Sequence, residues 1–465
     1  MKNFSWIIFL AFFISIAVFN AQAADPSLGQ EDLVTLSKPA IVKIYHQISG
    51  NLTIPTIKLD IRTMTLSIDE KFEASPETTY LAYPNHVISY KFDNPIEEQV
   101  IYGTGFVVNP NGYIVTNAHI ASARVLVQYL LEEFEQQMVE DMLTIYEEEY
   151  PGKLDKMYPS TGQWIEIYEK LDAELMRIIM DNVQFDAKLT VVPQSITDTG
   201  MEEILRYGHE ARVVSIADDL FDEKNTDKDL AVIKIEQKNL PSLKIDNTKS
   251  AQIGQKVFIW GFPFNAEFNE KDVINPTFTQ GIVNAFKESA DKSFKLLQTD
   301  AKISEGSSGG PILNEKGEVI GVITFVSGTT EAFGDSFGWG LPASVILEIM
   351  ASGSVANTAE YYDDFFSGLS LMQEKKCKNA NEKFNKVKGL NDEFSVDQDI
   401  QPYIDKCLAM IDAGQSIDSA FDKFFIALKT AGYKTWLMVV ILGAVVAGLI
   451  FGILNFIKRE KKVES

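Results

Sequence analysis

Cysteine and histidine are scarce: the 465-residue chain holds two cysteines and four histidines. Two thiols can build neither a disulfide scaffold nor a four-thiolate zinc site. Four histidines argue against a His-rich metal centre, and each imidazole can be weighed singly. Positive charge is also short. Lys and Arg number 42 against 65 Asp and Glu, a formal net charge of -23. Such a surface repels phosphate backbones, and the body of the chain carries no basic patch, so nucleic acid is not expected as a partner. With 46% hydrophobic and 23% charged residues, wholesale disorder is excluded. At about 100–200 residues per domain, the length allows two to four units or one large domain with additions.

What is present begins with the two ends. Lys2, an apolar run over 6–19 and Ala21-Gln22-Ala23 make residues 1–23 read as a secretory signal peptide cut after Ala23. An uncleaved anchor is the alternative, and either exports the bulk of the chain. Residues 436–457 contain no charged side chain, enough at 1.5 Å per residue to cross a hydrocarbon core of ~30 Å. Lys458, Arg459, Lys461 and Lys462 follow at once, so 458–465 reads as a cytoplasmic tail. The expectation is a single-pass cell-membrane protein with its body on the periplasmic or extracytoplasmic side.

Between the ends the text is mainly β. Short strand-like runs alternate with turn signals such as Asn109-Pro110-Asn111-Gly112 and Asn314-Glu315-Lys316-Gly317, the pattern of an antiparallel barrel or sandwich. Helical spacing interrupts it. Leu131, Phe134, Met138, Met142 and Ile145 recur at three- and four-residue intervals, as do Trp164, Tyr168, Leu171, Leu175 and Ile178. This predicts a helical insertion over 124–205 with an acidic outer face. After Pro342 the period stays helical, with three helix-like segments within 358–414.

Three short segments together carry chemistry: Gly103-Thr104-Gly105-Phe106 leading to Thr116-Asn117-Ala118-His119; Asp227-Lys228-Asp229-Leu230; and Gly306-Ser307-Ser308-Gly309-Gly310-Pro311. A serine hydroxyl needs a nearby imidazole to take its proton. The imidazole needs a carboxylate to fix its tautomer, and a tetrahedral oxyanion needs backbone donors already aimed. The order His, Asp, Ser is that of the chymotrypsin-type barrel, unlike the subtilisin or α/β-hydrolase orders.

The segments GTGFVVNPNGYIVTNAHI, DLAVIKI, WGFPF, TQGIVNAF, LQTDAKISEGSSGGPILNEKGEVIGVIT and FGWGLPASVI resemble, in the same order, those of the HtrA/DegP family of trypsin-like serine proteases. The resemblance spans about 34–350. It implies a chymotrypsin-like pair of six-stranded β-barrels, a protease domain over 30–350, and no cofactor. It makes His119 the general base, Asp229 its orienting carboxylate and Ser308 the nucleophile, with the N–H groups of Gly306 and Ser308 as the oxyanion hole. Asp300 matches a structural position. Ser307 stands where the family has Asn. His46, His86 and His209 lack the Thr-Asn-x-His context and read as surface or packing residues.

The chain departs from the family in the stretch over 50–100, in the long His119–Asp229 interval, and in lacking a PDZ-like stretch. In the last position 358–414 resembles a tetratricopeptide unit, through Gly368, Leu371, Ala380, Phe384 and Val387; any small helical bundle is the alternative. Cys377 and Cys407 fall at one level of an antiparallel helix pair, which predicts a disulfide in an exported compartment, with two free buried thiols as the other reading.

The resemblance implies a membrane-anchored serine endopeptidase acting on unfolded or damaged exported polypeptides. A homo-oligomer and a protein partner for the helical segment both stay open. Lys302, where an acid would favour basic residues, speaks against cleavage after Arg or Lys, and Ile303 suggests a small or medium apolar preference. The alternatives are a catalytically silent scaffold that recruits partners, and a protease held inactive by its insertion.

Overall fold

The computed structural model describes residues 28–60, 65–68, 80–83, 87–124, 161–182, 185–194, 201–217, 228–246, 251–264, 275–289, 292–327, 337–391, 393–394 and 397–418, with scattered residues at 127–152 and at 422. The described chain divides into two compact units. One holds residues 30–362 and 390–395; the other includes 363–389 and the residues from 396 onward.

The larger unit contains two closed six-stranded barrels. The first is built from β1 (Ile41–Asp60), β4 (Val87–Asn109), β5 (Tyr113–Thr116), β6 (Asp186–Val192), β7 (His209–Ala217) and β8 (Leu230–Ile235). The order β1-β6-β7-β8-β5-β4 closes because β4 also pairs with β1, Ile41 opposite Phe106. Closure removes every edge but those of the outer strands β2 (Thr65–Ile68) and β3 (Tyr80–Tyr83), which flank the long β1–β4 hairpin. This hairpin is what the sequence shows as extra length over 50–100.

The second barrel runs β10-β11-β14-β13-β12-β9. Its strands are β9 (Lys256–Gly261), β10 (Thr277–Glu288), β11 (Lys295–Thr299), β12 (Pro311–Leu313), β13 (Val319–Ser327) and β14 (Phe337–Pro342). Val257, Ile259, Val283, Leu297, Ile312, Ile320 and Ile323 fill its interior. Burying each such side chain contributes about 1.5–3 kcal/mol.

Turn chemistry fixes the strand pairings. At the β4–β5 turn the Asn111 N–H donates to Asn109 Oδ1 at 2.9 Å and the Gly112 N–H to the Asn109 carbonyl at 3.1 Å. Gly112 has φ +90°, and a β-carbon there would lie 2.2 Å from the Ile235 carbonyl, so only glycine closes this turn. Asn314 repeats the side-chain device between β12 and β13, accepting from the Lys316 N–H at 2.9 Å.

The helices of this unit are α1 (Gln30–Ser37), the one-turn α2 (Ala118–Ala121), α3 (Thr161–Asn182), α4 (Met201–Tyr207) and α5 (Ala343–Ser352). Leu171, Leu175 and Ile178 form the buried face of α3, as their spacing predicts. The first expected helix of the insertion falls largely outside the described residues. The insertion is shorter than 124–205, because β6 is a barrel strand: Lys43–Ser49 of β1 pair along it, Tyr45 opposite Thr190. Leu189, Val191 and Val192 are buried by that pairing, and their apolar run is too short for its period to separate strand from helix.

The smaller unit contains α7 (Cys377–Lys388), α8 (Asp397–Asp412) and most of α6 (Glu360–Gln373). Phe365, Phe384 and Tyr403 meet edge to face and tilted, with centroids 5.5–5.9 Å apart. Gly368 gives room for the Phe384 ring. This is one helix pair with a third helix, short of the stacked array that defines a repeat protein.

The disulfide is corrected. Cys377 and Cys407 are adjacent, as the helix placement predicts, but both are free and fully buried. Cys377 Sγ instead contacts Met410 Sδ at 3.7 Å, and burial first, then the Cys377 thiol beside it, pushes the Cys407 thiol well up. A sulfur in that setting packs as a small apolar group. Among the described residues no helix is long and apolar enough to cross a membrane. The expected signal peptide (1–23), span (436–457) and tail (458–465) lie outside them.

Candidate active site

Strand register brings the candidate residues to one edge. In the β5–β8 ladder Thr116 stands opposite Ala231. Running on from Thr116 leads through Asn117 into α2 and His119, and running back from Ala231 leads to Asp229. Antiparallel pairing therefore sets the imidazole and carboxylate side by side although 110 residues separate them. In the second barrel Pro311 pairs with Val322. Ser308, before Pro311, and Thr324, after Val322, project from the same end.

His119 Nδ1 lies 2.7 Å from Asp229 Oδ2. An ionised carboxylate can only accept, so Nδ1 carries the proton and Nε2 is left as an acceptor. The His119 backbone N–H donates to Asp229 Oδ1 at 3.0 Å, and the Thr324 hydroxyl to Oδ2 at 2.6 Å. Asn117 Nδ2 donates to the Asp229 backbone carbonyl at 2.7 Å. Asp229 is buried, and the His119 and Thr324 donors stabilise its charge while Asn117 holds its backbone.

The ionisations follow. Burial acts to lower the His119 pKa, but the Asp229 charge and hydrogen bond outweigh it and raise it above the ordinary 6.5. Burial likewise acts to raise Asp229, and is outweighed by His119 and the Thr324 hydroxyl, which hold it below its usual value. The charged pair is the favoured state once His119 takes up a proton.

Ser308 Oγ donates to the Thr324 carbonyl at 3.2 Å and makes no hydrogen bond to His119. Ser307 is buried, with Oγ against Gly261 and 3.5 Å from the Ser304 N–H. Of the two neighbouring serines, only Ser308 faces the Asp229–Thr324 side.

The loop ahead of Ser308 is tied peptide by peptide. The Glu305 carbonyl accepts the Phe264 N–H at 2.9 Å, and the Ser307 carbonyl accepts the Gly310 N–H at 3.0 Å. In a trans peptide C=O and N–H point opposite ways. These two bonds therefore turn the N–H groups of Gly306 and Ser308 away from their own carbonyls' partners. The N–H groups of Ser307, Gly309 and Gly310 are taken by Ser304, Ile323 and Ser307 carbonyls. Those of Gly306 and Ser308 have no acceptor among the described residues, which leaves two open donors beside the Ser308 hydroxyl.

Several members of this arrangement carry no sequence signal of their own. Thr324 lies 95 residues from the carboxylate it bonds. His46, read above as surface or packing, is buried, and its Nδ1 bonds the Ile120 carbonyl of the α2 turn at 2.9 Å. Burial lowers its pKa, against the opposing effect of that bond. Asp300 is structural as expected, accepting the Ile282 N–H at 2.8 Å. His209 bonds Glu393 rather than any site residue. Asp227 and His86 lie outside the described residues. Among the described residues no cluster of His, Cys, Asp and Glu could hold a metal ion.

Residues 103–322, which include all three side chains, match the family model described as Trypsin-like peptidase domain. A protein of Hahella chejuensis named "Probable periplasmic serine endoprotease DegP-like" is 36% identical over 132 residues, 28% of this chain and 25% of that protein. One of the same name from Chlamydia pneumoniae is 27% identical over 272 residues, 57% of this chain and 37% of that protein. The chain thus spans well under two thirds of these relatives' length. The crystal structure of a serine endoprotease from Yersinia pestis aligns at 19% identity over 70% of this chain and 66% of that one, with a TM-score of 0.35, too distant to bear on the site. Residues 103–322 therefore match a trypsin-like peptidase domain, and the chain is similar to relatives named DegP-like.

Proposed function

We propose that the chain is a serine endopeptidase in which Ser308 attacks a peptide carbonyl, His119 Nε2 takes the hydroxyl proton, and Asp229 holds the imidazole and stabilises the imidazolium that forms. The Gly306 and Ser308 N–H groups bind the oxyanion of the tetrahedral intermediate. His119 then gives its proton to the leaving amine, and water hydrolyses the acyl-enzyme by the same route. No metal or cofactor enters these steps. The observation that carries the reading is the pair of open amide donors next to a hydroxyl and a carboxylate-bound imidazole.

The substrates in this reading are exposed segments of unfolded or damaged exported proteins. The names of the relatives support an extracytoplasmic site for the domain. In this reading the signal peptide over 1–23 exports it and the span over 436–457 anchors it there, with 358–414 as a tetratricopeptide-like module open to a protein partner. Ile303 lies so close to Gly338 that a β-carbon there would be 2.2 Å from Ile303 Cδ1. With the 322–325 stretch of β13, Ile303 in this reading favours a small or medium apolar side chain before the cleaved bond.

One contact favours a second reading, a protease at rest. Ser308 Oγ is turned to the Thr324 carbonyl, and the hydroxyl must leave that acceptor to bond His119 before attack. Catalytic hydrogen bonds of this kind tighten on substrate binding. Hydrolysis of unfolded casein by the full chain, against Ser308→Ala, tests both. Wild-type turnover lost in the variant supports the proposal. No turnover, with or without a peptide that fills the cleft, rejects it in favour of the scaffold.

A further inference from the structure

Two of the ties on the 306–308 loop converge on one residue outside it. Thr104 lies in β4 of the first barrel and is fully buried. Its backbone N–H donates to the Ser308 carbonyl at 2.8 Å. Its hydroxyl donates to the Gly306 carbonyl at 2.7 Å and accepts the Phe262 N–H at 3.0 Å. The Thr104 carbonyl accepts the Thr116 hydroxyl at 2.8 Å, which ties it to the strand leading into His119.

We propose that the Thr104 hydroxyl is a positioning residue for the oxyanion donors, joining the first barrel to the loop that carries the nucleophile. The proposal rests on the protease reading above. Only a group that both donates and accepts at one atom can serve the Gly306 carbonyl and the Phe262 N–H together. The hydroxyl fixes the Gly306–Ser307 peptide, lying between the two peptides whose N–H groups are the open donors. It also holds Phe262, whose carbonyl would lie 2.2 Å from a β-carbon on Gly306. Phe262 is two residues before Phe264, whose N–H orients the Glu305–Gly306 peptide. Without the hydroxyl, two buried backbone groups lose their partner and the loop can relax toward other acceptors.

Thr104→Val keeps the shape and deletes the hydroxyl; Thr104→Ser restores it. The expected result for Thr104→Val is a fall in kcat of about ten- to a hundredfold with little change in KM, since a displaced oxyanion donor acts in the transition state. Affinity for a peptide boronate should fall in parallel, while Thr104→Ser stays near wild type. Rates are taken per active site titrated with a fluorophosphonate, so a poorly folded fraction cannot mimic the effect. Thr104→Val within threefold of wild type per titrated site would overturn the proposal, as would an equal loss in Thr104→Ser. Hydrogen exchange decides the matter without turnover. The Ser307, Gly309 and Gly310 amides should exchange faster in Thr104→Val but not in Thr104→Ser, and unchanged exchange overturns the positioning role. A wild type that neither labels nor hydrolyses overturns only the protease reading.

Discussion

Gly306→Ala is the sharpest perturbation of the oxyanion loop. Gly306 has φ +88°, a conformation that costs an L-residue roughly 1–2 kcal/mol. The new β-carbon would lie 2.2 Å from the Phe262 carbonyl and 2.9 Å from Tyr102 Cε2. The Tyr102 ring can yield; the Phe262 carbonyl is backbone, anchored at its own N–H by Thr104. The loop must therefore move by about 1 Å, a displacement that can lower a rate about a hundredfold when it misplaces a transition-state donor. The Phe264–Glu305 bond, which aims the Gly306 N–H, is the one most exposed to that movement. The assay is hydrolysis of a chromogenic peptide, with kcat and KM separated and sites titrated by fluorophosphonate. The prediction is a loss of about a hundredfold in kcat with KM nearly constant. A variant that keeps its melting temperature and its kcat within threefold would refute the assignment of Gly306 as an oxyanion donor.

The pH profile follows from the His119–Asp229 pair. Neutral His119 is the active base and its pKa is raised, so kcat/KM should rise with pH through an apparent pKa above 6.5. Asp229→Asn should lower that pKa and cut kcat by about 10⁴-fold, as expected when the wrong tautomer is held; an unshifted profile at near-normal rate would contradict the pairing. Thr324→Val removes the 2.6 Å bond to Asp229 Oδ2. Leaving that buried acceptor short costs about 1–3 kcal/mol, so kcat should fall about tenfold or more, and an unchanged rate would show that the hydroxyl is dispensable. For the thiols, protein isolated without reductant, then denatured and alkylated, should take two labels; none would mean that Cys377 and Cys407 had formed a bond.

Much of the site was legible because chemistry confined it to short strings. His119 follows Thr116-Asn117 at a strand end, Asp229 directly precedes Leu230-Ala231-Val232, and Ser308 lies in a glycine cluster. The two Asn-x-x-Gly turns gave the β-hairpins, since in each the Asn side chain accepts the backbone N–H two residues on. Thr104, Thr324 and His46 were not legible. Each acts through hydrogen bonds to residues far away in the chain, and a buried Thr in a strand looks in sequence like any β-branched residue. Strand β6 was absorbed into the insertion because its buried run is short and follows a long amphipathic helix. The paired cysteines show the converse: level on two helices was read correctly, whereas bond formation depends on sulfur geometry that spacing does not report.

The central claim is that Ser308 is a nucleophile activated by His119 beside two aimed amides. Treating the full chain with a fluorophosphonate and mapping the adduct by peptide mass spectrometry tests it directly. The account predicts one modified residue, Ser308, with labelling abolished in His119→Ala. No adduct, or an adduct on Ser307 that persists without His119, would contradict it.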